Sequence, residues 1–129
     1  MINLLGEVGS ILCNPIDVSQ AQFHGLATLF HAINSVAEDP VIDLILIQED
    51  VDILLSVYPQ EWVEQLNEFF IGLKSRQNKP LVIVSPPGSA EPERSDIEQR
   101  LLKASIPVFP TMERAAMAIV TINKYFSPR

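Results

Sequence analysis

Apolar residues recur along this chain in two rhythms. Short unbroken aliphatic runs alternate with longer stretches in which large apolar side chains return every three or four residues. The first rhythm marks strands buried on both faces, and the second marks helices with one buried stripe. The segment Val41-Ile42-Asp43-Leu44-Ile45-Leu46-Ile47 lies between Pro40 and a run of acids, and it reads as the middle strand of a parallel sheet. Leu81-Val82-Ile83-Val84 is a second buried strand. Ile106-Pro107-Val108-Phe109-Pro110 is a third, placed at or near an edge because proline brings no N–H to a ladder. Residues 1–13 are weakly patterned, with Ser10-Ile11-Leu12-Cys13 as a candidate short strand.

The helical rhythm predicts four helices. The first, over about 20–37, carries Phe23, Leu26, Ala27, Leu29, Phe30, Ile33, Val36 and Ala37, with Ser19 as its N-cap. The second runs near 59–77, with Pro59 at its first position, Glu61 and Glu64 near its positive end, and a stripe of Trp62, Val63, Leu66, Phe69, Phe70 and Leu73. The third is expected to start at the capping box Ser95-Asp96-Ile97-Glu98 and to carry Ile97, Leu101, Leu102 and Ala104. Thr111 caps the fourth, whose inward stripe is Met112, Ala115, Ala116, Ile119, Ile122 and Phe126. Strict alternation of helix and strand at this spacing implies right-handed crossovers and a parallel sheet. The expected architecture is a three-layer α/β/α open parallel sheet forming one domain over 1–129. The strand-to-helix loops 14–19, 48–58, 85–94 and 110–111 all emerge on one edge, where open α/β sheets meet their ligands.

Composition narrows the functional classes. With 47% hydrophobic and 19% charged residues the chain is an ordinary globular mix. Nine Lys plus Arg against sixteen Asp plus Glu give a net charge of −7, which repels the phosphate backbone and argues against nucleic-acid binding. No apolar run is long enough for a membrane span, and the first residues lack the basic head and apolar core of a signal peptide, so a cytoplasmic location is expected. The single cysteine, Cys13, excludes an intrachain disulfide and reads as a small buried hydrophobe. His24 and His31 are about 10 Å apart along a helix axis, too far to share one ion, and read as solvated surface groups. Nucleotide-binding glycine fingerprints, the serine-hydrolase elbow and Cys-x-x-Cys are all absent.

Four segments carry a resemblance. Asn14-Pro15-Ile16-Asp17 resembles the Asn-Pro-Val-Asp motif of NDP-forming acyl-CoA synthetases. The stretch 38–47 is similar to that family's acidic, proline-led hydrophobic run, and Lys79-Pro80-Leu81-Val82-Ile83-Val84 to its Lys-Pro run before a glycine-bearing loop. Residues 106–116, with Thr111-Met112-Glu113-Arg114-Ala115-Ala116, resemble its closing segment. The four occur in the family's order over roughly 10–126. The resemblance implies a flavodoxin-like CoA-ligase domain, similar to the last domain of the succinyl-CoA synthetase β subunit and incomplete on its N-terminal side. It implies partners with CoA-binding and ATP-grasp folds, and implies CoA and a nucleoside triphosphate as cofactors of the whole enzyme rather than of this chain. In that family such a domain helps hold a phosphohistidine at a glycine-rich loop and a helix N-terminus.

The departures bear on activity. The chain lacks the ATP-grasp and CoA-binding modules, and neither His24 nor His31 matches the family's active histidine. Where the relatives place paired glycines after the central strand, this chain has Glu49, Asp50 and Asp52. Three carboxylates facing a phosphate repel it, and without glycine there the backbone N–H groups cannot converge on it. The phosphate site is therefore read as degenerate and no residue is assigned as catalytic. The edge-loop candidates are Glu49, Asp50, Asp52, Gly88, Ser89 and Thr111, with Asn14, Pro15 and Asp17 as a turn motif. Three readings follow: a CoA-ligase-like domain inactive alone, a homo-oligomeric or docking module that covers an open sheet edge or apolar face, and a cation or amine site on the rim of Asp17, Glu49, Asp50, Asp52, Glu91 and Glu93, whose plain alternative is a solvated acidic rim.

Overall fold

The computed structural model describes residues 14–17 and 25–127. The chain divides into two compact units, 1–43 and 44–129. Cys13, Ser19, Phe23, His24 and the strand expected over 10–13 lie outside the described residues.

In the first unit, α1 spans Leu26–Glu38, starting after Gly25, whose φ of 84° suits a residue with no Cβ. Ala32 and Ala37 are buried, whereas Ala27 and His31 are exposed. A side-chain turn ends the helix region. Asp39 Oδ1 accepts from the Val41 N–H at 2.9 Å, and the Asp39 carbonyl accepts from Ile42 at 3.2 Å. Both N–H groups are thereby withdrawn from any ladder, and Val41 is 82% exposed. The strand expected over 41–47 is consequently shorter and later: β1 is Ile45–Gln48, in the second unit.

That unit continues with α2 (Val51–Val57), α3 (Gln60–Arg76), β2 (Leu81–Val84), α4 (Glu91–Lys103), β3 (Val108–Phe109) and α5 (Met112–Phe126). The strands form an all-parallel sheet in the order β1-β2-β3, with Ile45 opposite Leu81 and Ile83 opposite Val108. The middle strand is β2, not the run around Leu44–Ile47, and all four of its residues are buried. The prolines Pro107 and Pro110 bracket β3 and hold it to two residues at the sheet edge.

Two local devices set the connections. Gln77 closes the turn into β2 through both amide ends, donating to the Lys79 carbonyl at 2.8 Å and accepting from the Lys79 N–H at 2.7 Å. Helix α4 ends in a Schellman turn, with Ile106 N–H on the Leu101 carbonyl and Ser105 N–H on the Leu102 carbonyl, both 3.0 Å. Leu101 and Ile106, which flank the turn, are fully buried. Ser105 takes the left-handed position, φ 61°, that glycine usually fills.

The two sheet faces are covered unequally. Right-handed crossovers from β1 to β2 and from β2 to β3 put α3 and α4 on the same face. There Val63, Leu66, Phe70, Leu73, Ile97 and Leu101 are all buried. The other face carries Leu44, Leu46, Val82, Val84 and Phe109, against which α5 places Ala115 and Ile119. Helix α5 has 15 residues, about 22 Å at 1.5 Å per residue. The four residues of β2 span only about 13 Å. The helix therefore outruns the sheet. Of the expected inward stripe only Ala115 is buried, while Met112, Ile122 and Phe126 are 43%, 59% and 76% exposed.

Candidate functional site

The carboxyl edge of the second unit collects Glu49, Asp50, Asp52, Gly88, Ser89 and Thr111. The acids do not form a loop. Asp50 caps α2, its Oδ1 accepting from the Ile53 N–H at 3.1 Å, and Asp52 sits in that helix's first turn. Val51 and Leu54 turn inward, Val51 fully buried. Tyr58 precedes Pro59, which disfavours helical backbone at 58 and separates α2 from α3. The Tyr58 and Trp62 rings stack across this break at 4.1 Å.

Asp52 reaches across to the loop after β2. Its carboxylate accepts from the Ser89 N–H at 2.6 Å, the Ser89 hydroxyl at 2.8 Å and the Ala90 N–H at 2.7 Å. These bonds hold the Asp52 carboxyl below the ordinary aspartate range. A Cβ at Gly88 would collide with that carboxylate, so a side-chain-free residue is required there. This contact also explains where α4 begins. Asp52 binds the N–H groups of Ser89 and Ala90 immediately before the helix, and Pro92 in the first turn needs no acceptor. The helix therefore starts at Glu91, four residues before the expected capping box, and Ser95 lies inside it.

Arg94 ties the same loop down from the helix side. Its Nε donates to Glu91 Oε2 at 2.9 Å and its Nη2 pairs with Glu91 Oε1. Its Nη1 reaches Glu98 Oε2 at 3.2 Å and the Ser85 carbonyl at 3.4 Å. The guanidinium holds the Glu91 carboxyl below the ordinary range. Thr111 caps α5, accepting from the Arg114 N–H at 3.2 Å.

Glu49 behaves in the opposite way. It follows β1 directly, its N–H donates to the Val84 carbonyl at 2.8 Å, and it is 3% exposed. Asn67 of α3 donates to Glu49 Oε1 at 2.7 Å and to the Val63 carbonyl at 3.0 Å. Burial pushes the Glu49 carboxyl up to about 7, against the lowering effects of Asn67 and Arg100.

The edge acids are thus brought to one region but engaged separately, one as a cap, one as a clamp and one as a buried group. Among the described residues no group of three or more His, Cys, Asp or Glu is placed to hold a metal ion. Between α2, α3 and α4 lies an open groove of about 250 Å³, with Val63 and Ile97 in its wall and Glu64, Asp96 and Arg100 on its lining. Asn14, Pro15 and Asp17 are exposed in the first unit, with the Asn14–Pro15 bond cis. No helix among the described residues is long and apolar enough to cross a membrane.

Asn67, and the pairing of Arg94 with Glu91 and Glu98, were not legible in the sequence. Asn67 is a lone polar residue on the buried stripe between Val63 and Phe70, which is the trace it leaves in the sequence. Arg94 stands three and four residues from Glu91 and Glu98, a spacing that pairs charges on a helix once the helix start is known.

Comparison of the chain with protein-family models, with characterised proteins and with solved structures finds no match.

Proposed function

We propose that this chain is a non-catalytic assembly module of the α/β class that covers the overhanging part of α5 by homo-oligomeric contact. The observation that carries the reading is the exposure of Ile122, Tyr125 and Phe126 at the end of α5, 59%, 82% and 76%. Ile122 and Phe126 continue the stripe of Ala115 and Ile119 beyond the sheet, and the Tyr125 and Phe126 rings meet edge to face at 5.0 Å. Aromatic side chains each carry roughly 150–250 Å² of surface, so Tyr125 and Phe126 with Ile122 offer on the order of 400 Å². One side of a standard interface is about 800 Å². Apolar exposure on this scale marks interaction surfaces in folded proteins. On the β3 side the contact falls on the helix rather than on the sheet edge, because β3 is two residues long and bounded by proline.

Self-engaged edge acids favour the absence of catalysis. The N–H groups of Ser89 and Ala90 already bind Asp52, so an incoming anion would have to displace a carboxylate held by three hydrogen bonds. The test is mass by light scattering over a range of concentrations, with and without CoA. The reading expects a CoA-independent dimer or higher species. A monomer throughout contradicts it.

A second reading keeps the CoA-ligase-like, flavodoxin-like ancestry. Three of its motif segments fall at structural landmarks: Asp43 just before β1, Lys79-Pro80 before β2 and Thr111 as the cap of α5. In this reading CoA and the nucleoside triphosphate are bound by CoA-binding and ATP-grasp partners. Activity on mixing with such partners would support it, and a monomer that answers to CoA would favour it over self-assembly.

A further inference from the structure

The carboxyl ends of β1 and β2 carry a buried polar cluster. Glu49 follows Gln48, Ser85 follows Val84, and Gln48 and Val84 are register partners, so the two side chains are neighbours on the face that α3 and α4 cover. Glu49 is 3% exposed, and Ser85 and Asn67 are 1% exposed each. The Glu49 carboxyl receives a single hydrogen bond. Asn67 gives its amide hydrogens to Glu49 Oε1 and the Val63 carbonyl. Glu49 Oε2, Asn67 Oδ1, Ser85 Oγ and, on α4, Arg100 Nε are buried without a hydrogen-bond partner. An ionised carboxylate in this place is a charge out of water with one donor, which is costly. One added proton removes the charge.

We propose that Glu49 and Asn67 form a proton-operated latch joining β1 to α3, closed when Glu49 is neutral and loosened when it ionises. The surroundings fit a carboxyl that holds its proton. Burial raises the Glu49 carboxyl to about 7, and the opposing contributions of Asn67 and Arg100 do not cancel that. From α4, Arg100 is the cation that faces it; its Nε lies 3.1 Å from Asp96 Oδ2 as an ion pair without a hydrogen bond, and it makes no hydrogen bond to Glu49. Arg94, which reaches the Ser85 carbonyl, is engaged with Glu91 and Glu98. From α3 comes neutral Asn67, while Glu64 is bound to Gln60. Asp50 and Asp52 on the adjoining helix are turned to N–H groups of their own.

The direction of the linkage follows. The folded chain keeps the Glu49 proton up to about pH 7, whereas the unfolded chain releases it near 4.5. Between those values the folded state binds more protons, so the latch's contribution is full below the lower value and is lost as pH rises through the upper one. The experiment is urea unfolding of the full chain from about pH 5 to 8 at fixed ionic strength, for the parent and Glu49→Gln. From one end to the other, the parent's folded-to-unfolded ratio should fall on the order of a hundredfold more than that of Glu49→Gln. Parallel curves for the two proteins would overturn the latch. Should Glu49→Gln fail to fold, carboxyl ¹³C NMR of the parent labelled at glutamate decides. One glutamate ionising near neutrality supports the proposal, and all glutamates ionising below about pH 5.5 overturns it. The result does not depend on whether the chain self-assembles.

Discussion

The two faces of the sheet in the second unit are built from similar material and end in different states. On one face α3 and α4 seat Val63, Leu66, Phe70, Leu73, Ile97 and Leu101, all buried. On the other, α5 seats Ala115 and Ile119 and then runs past the strands. Both helical stripes have the right period. Periodicity says which side of a helix is apolar, but only the length of the opposing surface says how much of it is covered. A face finished by its own chain is a core, and one finished only by another surface is an interface.

The sharpest way to break this contrast is to delete the same ring on each side. Phe70→Ala should cost about 3–5 kcal/mol in urea unfolding, the range for a fully buried phenylalanine. Phe126→Ala should leave monomer stability within about 0.5 kcal/mol and act on association instead. Similar losses of monomer stability at both positions would erase the difference between the faces.

A smaller effect belongs to the clamp at the carboxyl edge. Gly88→Ala drives a methyl group into the Asp52 carboxylate and should lower the melting temperature by several degrees, with protease nicking appearing in the loop between β2 and α4. A variant that melts with the parent would mean that the clamp holds nothing together. The clamp also answers to acid in the opposite sense to Glu49. The Asp52 carboxyl is lowered by the Ala90 and Ser89 hydrogen bonds, so its contribution is present at neutral pH and is lost as pH falls below the aspartate range.

The smallest effect is a gain. Ser105 occupies a left-handed position at the end of α4, and Ser105→Gly should stabilise the second unit by about 0.5–1 kcal/mol in urea unfolding. A loss would show that the serine side chain contributes more than its backbone strain removes.

These cases also show where the sequence was legible. The alternation of elements, the parallel sheet and the edge position of the proline-flanked strand were readable, because period and proline chemistry act locally. The start of β1 was not, because the Asp39 turn withdraws the N–H groups of Val41 and Ile42 from pairing. Helix α2 was not legible as a helix, because its seven residues are too few to show a period and its cap, Asp50, sits in a run of acids. The start of α4 was hidden because Asp52, which holds the loop leading into it, lies 37 residues before Ser89. Of the candidate site, the edge residues were found, but their separate engagements are tertiary facts. Asn67 had the plainest trace, a polar residue on a buried stripe.

The central claim is that α5 is finished by another copy of the chain. The most direct measurement is the light-scattering mass of the Ile122→Glu/Phe126→Glu double variant beside the parent at equal concentrations. The account predicts a dimeric or larger parent and a folded monomeric variant. A parent that is monomeric at every concentration, or a variant that assembles as the parent does, would contradict it.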